Sequence, residues 1–242
     1  MRFLNMTSNF KTGFTDPRIH GAYDRVGCEK IRKMVYDHVV EKKPKRIIEF
    51  GAWNGLSAVL LAQGLRDLFF DNNDFKNIRD ASFYNELFDE NSKKVTKGTD
   101  SLILKCEEDC NNPTELFLYD LYWDSVSQNG NLKNVYANLK EYNCLGTTNI
   151  KFEKRDFYEW IKAPEQFDIL HLDIHNSAQV IEKAYYALED QIEKGSIILI
   201  EGGHSGIHWR DYESLKYKLK YFSCLVEDIK PGLSIIKKQK GV

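Results

Sequence analysis

Long apolar runs are missing from the 242-residue chain. None approaches the roughly 20 residues that a bilayer-spanning helix needs, and the opening MRFLNMTSNF has no apolar core of a signal peptide. A surplus of charge is missing too. Thirty-four Lys and Arg against 36 Asp and Glu leave a formal net charge of −2, which gives no basic balance to recruit nucleic acid as the main partner. The local cluster Lys42-Lys43-Pro44-Lys45-Arg46 lies just before an apolar strand and reads as a solvated loop. Cysteine is scarce and unpatterned. The five residues Cys28, Cys106, Cys110, Cys144 and Cys224 are odd in number and scattered, so they argue against a disulfide framework and fit a reducing compartment. Cys106 and Cys110 have no second pair or nearby His, which speaks against a zinc site. There is no internal repeat and no long low-complexity tract. These absences predict a soluble cytoplasmic protein with neither nucleic acid nor membrane as partner, long enough for a single domain over 1–242.

What is present centres on Lys45–Arg66, KRIIEFGAWNGLSAVLLAQGLR. Arg46–Phe50 is a short apolar run of strand length. Gly51-Ala52-Trp53-Asn54-Gly55 is a turn with two glycines. Ser57 is the expected N-cap, and Ala58–Leu65 is rich in helix formers. Strand, glycine turn and helix follow one another. A residue without Cβ lets a ligand lie against bare backbone, and the helix start adds unpaired N–H groups. The spacing is Gly-x-x-x-Gly. It is neither the Gly-x-Gly-x-x-Gly of dinucleotide folds nor a P-loop, which speaks against a nicotinamide oxidoreductase.

The remaining elements can be read in order. Residues 1 to about 22 form an irregular arm, and Asp24–Val40 a helix with Ile31, Met34, Val35 and Val39 at helical spacing. Residues 67–113 are rich in Asp, Asn and Lys, with apolar patches at Phe83–Phe88 and Ser101–Cys106. A loop of that length needs local structure, and it is read as an insertion or lid. Thr114–Asp120 is the next strand and ends in an acid, placed to accept from ribose hydroxyls. The gap from Gly55 to Asp120 is 65 residues (120 − 55), against the usual ~20. Ser101–Cys106, ending near Glu107 and Glu108, is therefore the rival second strand. Then come a helix at Leu132–Tyr142, a strand at Asn149–Asp156, a strand at Phe167–Asp173, a helix at Ala178–Glu193 and a strand at Ser196–Glu201. Asp173 and Glu201 end up side by side if their strands are neighbours. A helix over Trp209–Leu219 and a hairpin over Phe222–Lys237 close the chain.

Glu49-x-Gly51-x-x-x-Gly55 after a strand, followed by βα units and a terminal hairpin, resembles the class I S-adenosylmethionine (SAM)-dependent methyltransferases. The segments FDILHLDIHNSAQV and ALEDQIEKGSIILIEGG resemble their small-molecule O-methyltransferases, including those related to macrocin and catechol enzymes. The resemblance implies an α/β fold, a doubly wound, mostly parallel seven-stranded sheet with a C-terminal antiparallel hairpin. It implies SAM as cofactor, held by Glu49, Gly51, Ala52, Trp53, Asn54, Gly55, Asp120, Asp156, Phe157 and Asp173. Asp156 also reads as a helix N-cap, and the two roles can coexist.

A methyltransferase must remove the proton of the acceptor. A neutral His suits that near pH 7; His204 is the first candidate, His175 the second, and Asp173 stands beside them. Each histidine also reads as an exposed loop residue. His208 lies one helical turn past His204, while His20, His38 and His171 are read as structural. Trp209 and Tyr23 could wall off the acceptor. The relatives' acid pair after the fifth strand is here Glu-Gly-Gly, so a metal (Mg²⁺) on Asp173 and Glu201 is left open. No Asn-Pro-Pro-Tyr motif of nucleic-acid amino methylation is present. The expected acceptor is a hydroxyl of a polar small molecule, a sugar or nucleotide-sugar; N-methylation, an aromatic acceptor, a non-catalytic SAM-binding module and a homo-oligomer remain open.

Overall fold

The computed structural model of the protein describes residues 28–68, 81–97, 101–105, 113–122, 132–174, 177–202, 209–227 and 232–239. Helix α1 (Glu29–Lys42) turns Ile31, Val35 and Val39 fully inward. It stops at Lys43, whose left-handed backbone (φ 51°) returns its N–H to Val39 O. There follow β1 (Arg46–Phe50), α2 (Leu56–Asp67), α3 (Ala81–Thr96), β2 (Leu102–Leu104), β3 (Glu115–Asp120), α4 (Leu132–Glu141) and β4 (Asn149–Lys154). The one-turn α5 (Phe157–Trp160), then β5 (Ile169–Leu172), α6 (Ala178–Glu193), β6 (Ile197–Glu201), α7 (Trp209–Lys218), β7 (Phe222–Val226) and β8 (Leu233–Ile236) complete it.

The strands form one sheet in the order β2-β4-β3-β1-β5-β6-β8-β7. β4, β3, β1, β5 and β6 are parallel, and β8 runs antiparallel between β6 and β7. The terminal hairpin is thus where the sequence placed it. The sheet has eight strands rather than seven. The added one is β2, built from the Ser101–Cys106 patch and paired antiparallel to β4 at the edge. Its direction decides between the two candidate second strands. β2 leaves the sheet at the end opposite to β1, whereas β3 lies parallel beside β1 and brings Asp120 to the same end as Phe50. Within 67–113, α3 supplies the expected local structure: Phe88 stacks on Tyr136 of α4 with centroids 4.1 Å apart.

Parallel strands covered on both faces read as continuous apolar runs, and the central strands β1, β3, β5 and β6 split their side chains between two cores. Ile47, Leu116, Leu118, Ile150 and Leu199 join α1, α2 and α4 on one face. Ile48, Phe50, Leu170, Leu172 and Ile198 join α5, α6 and α7 on the other. The chain runs from β1 to β3 on one side and later returns to β5 on the other. The sheet order therefore reverses at β1, and a crevice opens at the carboxyl ends of such strands.

Candidate functional site

The glycine turn sits at that reversal point. Gly51 N–H donates to Tyr119 O of β3 (3.0 Å), and Asp173 N–H donates to Phe50 O (2.9 Å). The three strand exits are therefore tied together. Gly51 has φ +88°, and a Cβ there would stand 2.1 Å from the Asp173 carbonyl oxygen. Gly55 has φ +85°, and its Cβ would stand 2.7 Å from Val135 Cα on α4. Both glycines are thus required by close approach of protein to protein as well as by left-handed backbone. The N-cap of α2 is Gly55, not Ser57. Ser57 lies one residue inside the helix and is buried, because the turn enters the helix through a positive φ that serine tolerates poorly.

Two anchors hold the middle of the turn. Trp53 is left-handed (φ 42°) and 42% exposed, and its N–H donates to Asp120 Oδ2 at 2.8 Å. Asp120 Oδ1 accepts from the N–H groups of Leu121 (2.6 Å) and Tyr122 (3.3 Å). Tyr122 is also left-handed (φ 43°). Burial, then the charges of Asp120 and Glu49, push its phenol well above the ordinary range; it stays a neutral donor to Leu118 O. On the other side Asn138 Nδ2 donates to Asn54 O (2.5 Å) and Asn134 Nδ2 to Asn54 Oδ1 (3.1 Å). The sequence reading had not marked Asn134, Asn138 or Tyr122. An asparagine four residues after another on an amphipathic helix was the available signal.

Four acids line the same end of the sheet. Glu49 is fully buried; its Oε1 meets His171 Nδ1 at 3.0 Å, while Oε2 has no hydrogen-bond partner among the described residues. His171 is accordingly the hydrogen-bonded core histidine that its place inside a strand implied. β5 and β6 are neighbours, so Asp173 and Glu201 do lie side by side. Burial, then the Glu201 carboxylate within hydrogen-bonding reach, raises the Asp173 carboxyl well above the usual carboxylate range. Glu201 Oε2 is itself buried, with no hydrogen-bond partner among the described residues. Two carboxylates suit a hard cation, yet among the described residues no three His, Cys, Asp or Glu side chains converge to hold one.

Asp156 is exposed and caps α5: its Oδ1 accepts from the N–H groups of Tyr158 (2.7 Å) and Glu159 (3.1 Å). Phe157 points into the core against Phe50 and Trp160. Ala52 is buried in the turn. His38 returns Nδ1 to Met34 O at 2.7 Å, in keeping with a structural role. His175, His204, His208, His20, Tyr23, Glu107, Glu108, Cys106, Cys110, the arm over 1–22 and the side chain of Trp209 lie outside the described residues. Among the described residues no helix is long and apolar enough to cross a membrane.

No protein-family model matches the chain, and no curated protein matches it. Solved structures do. SAH-bound Podospora anserina methyltransferase PaMTH1 superposes with a TM-score of 0.52 at 13% identity, over 96% of this chain and 85% of that one. The O-methyltransferase TomG from Streptomyces achromogenes, involved in tomaymycin synthesis and solved with SAM, gives 0.50 at 11% identity, over 86% and 80%. The fold is that of the class I methyltransferases. Within that methyltransferase fold, β1, β3, β5 and β6 carry the crevice, and the β7–β8 hairpin closes the sheet. β2 stands at the edge of the sheet opposite that hairpin.

Proposed function

We propose that the protein is a SAM-dependent methyltransferase acting on a hydroxyl of a polar small molecule, a sugar, nucleotide-sugar or related metabolite. One observation carries the reading. The Gly51–Gly55 turn, Asp120 and the Asp173–Glu201 pair converge at the sheet's reversal point, on a fold whose neighbours PaMTH1 and TomG were solved with SAH and SAM. The polar, Asn- and Lys-rich segment 67–113 leans toward a polar acceptor.

SAM supplies a methyl group already activated on a sulfonium sulfur. The turn would carry its methionine and ribose parts. Asp120 would accept from the ribose hydroxyls, and Asp156, Phe157 and Asp173 would meet the remainder. What the chain must then do is hold the acceptor oxygen in line and take its proton. His204 is the first choice of base and His175 the second. Asp173 stands at the same edge; its carboxyl, raised by burial and then by Glu201, would hold a proton and orient the acceptor oxygen as a hydrogen-bond donor beside the base.

The test is calorimetry with SAH, followed by an SAH-release assay over sugars, nucleotide-sugars and catechols. Micromolar SAH binding and turnover on a sugar-type hydroxyl are expected, with Asp120→Ala weakening SAH at least tenfold. Absence of SAH binding by the intact chain overturns the proposal; binding with turnover only on catechols moves the acceptor to the aromatic class.

A further inference from the structure

We infer that Asn138, with Asn134 beside it, is a positioning residue that sets the glycine turn from α4. This rests on the reading of the turn as the cofactor shelf. Asn138 is buried and spends its amide on the Asn54 carbonyl at 2.5 Å. A buried side-chain donor on a helix otherwise packed through Val135, Tyr136 and Leu139 costs desolvation, and this one offsets it at the carbonyl of the Asn54–Gly55 peptide. Asn134, one helical turn earlier, holds the Asn54 side chain at 3.1 Å. Between these two, Gly55 packs so closely on Val135 that no Cβ fits. α4 therefore touches the turn at three successive points, 134, 135 and 138.

Two peptides earlier in the same turn, Asp120 accepts the Trp53 N–H. Trp53 sits at φ 42°, a left-handed backbone that bulky residues rarely adopt. Such a conformation persists only when its surroundings over-determine it. The Asp120 carboxylate from β3 and the Asn138 amide from α4 do this from two sides. Release of the Asn138 bond lets Trp53 and Asn54 relax, and the turn then presents its N–H groups in the wrong direction.

The readout that separates positioning from simple packing is amide exchange. In Asn138→Leu, which keeps volume and removes the donor, exchange at Trp53–Gly55 is expected to rise about tenfold relative to β1 and β5. The Leu132–Glu141 helix itself should stay protected. SAH affinity should fall by roughly the same factor. Asn134→Ala, on the more exposed side of the helix, should give the same effect at a smaller size, and it carries the test if Asn138→Leu fails to fold. Unchanged exchange at Trp53–Gly55 in a folded variant overturns the inference. Wild-type protein that shows the exchange effect on mutation yet binds no SAH overturns the cofactor reading instead, and leaves the latch standing.

Discussion

At Gly51 two constraints fall on one atom. Its φ of +88° disfavours any side chain, and the nearest obstacle is the Asp173 backbone, which cannot swing aside. Gly51→Ala is expected to destabilise the fold by about 2–4 kcal/mol, measured by urea unfolding. A loss under about 1 kcal/mol would show that the strand exits can part. The buried Glu49–His171 hydrogen bond makes a sharper case. Leaving one buried partner unsatisfied costs about 1–3 kcal/mol or more, while replacing both with apolar groups is near neutral. His171→Leu alone should therefore be severe, and Glu49→Leu with His171→Leu should recover most of the loss; additive losses would mean that the pair is not a unit. Asp173 gives a pH signature. Its carboxyl is raised in the folded state, so folded protein keeps a proton that the unfolded chain gives up. That contribution to stability is complete below the unfolded value of about 3.9 and is lost as pH rises through the folded value. Asp173→Asn should flatten the fall in unfolding free energy as pH rises above the ordinary carboxylate range. Equal slopes in variant and wild type would refute the assignment.

At the scale of elements, Ala178–Glu193 could be read from its sequence because cap, period and stop agree. Ser177 takes the Val180 N–H, the apolar positions recur at helical spacing, and Gly195 follows at φ +104°. β1, β3, β5 and β6 were legible as apolar runs between breakers. Asp120 was legible as a strand-tip acid only with a long excursion discounted, and it was β2's antiparallel direction that removed its rival. Other features could not be read because they belong to contacts distant in sequence. Nothing near Gly55 announces that Val135 will press on it, and nothing near Asn138 announces Asn54. Position 57 misled because serine is a good cap in general, whereas here the backbone enters α2 left-handed at Gly55. The excursion yields its own prediction. Phe88 anchors α3 through its stack on Tyr136 and its edge contact with Phe152. Phe88→Ala should cost about 3–5 kcal/mol if α3 is integral to the core, and under 1 kcal/mol if it is a detachable flap; calorimetric melting decides between them.

For the whole molecule, the strands carry the argument for one cooperative domain over 1–242, which we propose. Ile47 belongs to the core under α1, α2 and α4, and its neighbour Ile48 to the core under α5, α6 and α7. β5 and β6 alternate in the same way, through Ile169 and Leu170 and through Leu199 and Ile198. Melting either layer of helices exposes one face of every central strand. The sheet then loses half of its burial and the crevice its geometry, because the turn is tied to β3 and β5 by the Gly51–Tyr119 and Asp173–Phe50 backbone bonds and by the Asp120 carboxylate on the Trp53 N–H. Far-UV circular dichroism, near-UV circular dichroism and tryptophan fluorescence should therefore trace one urea transition with a common midpoint. Ile47→Ala and Ile48→Ala, each removing about 2–5 kcal/mol, should shift that midpoint alike in all three signals, though they cut into opposite cores. A variant in which the near-UV signal is lost well before the far-UV signal would separate the two layers and divide the chain into independent units.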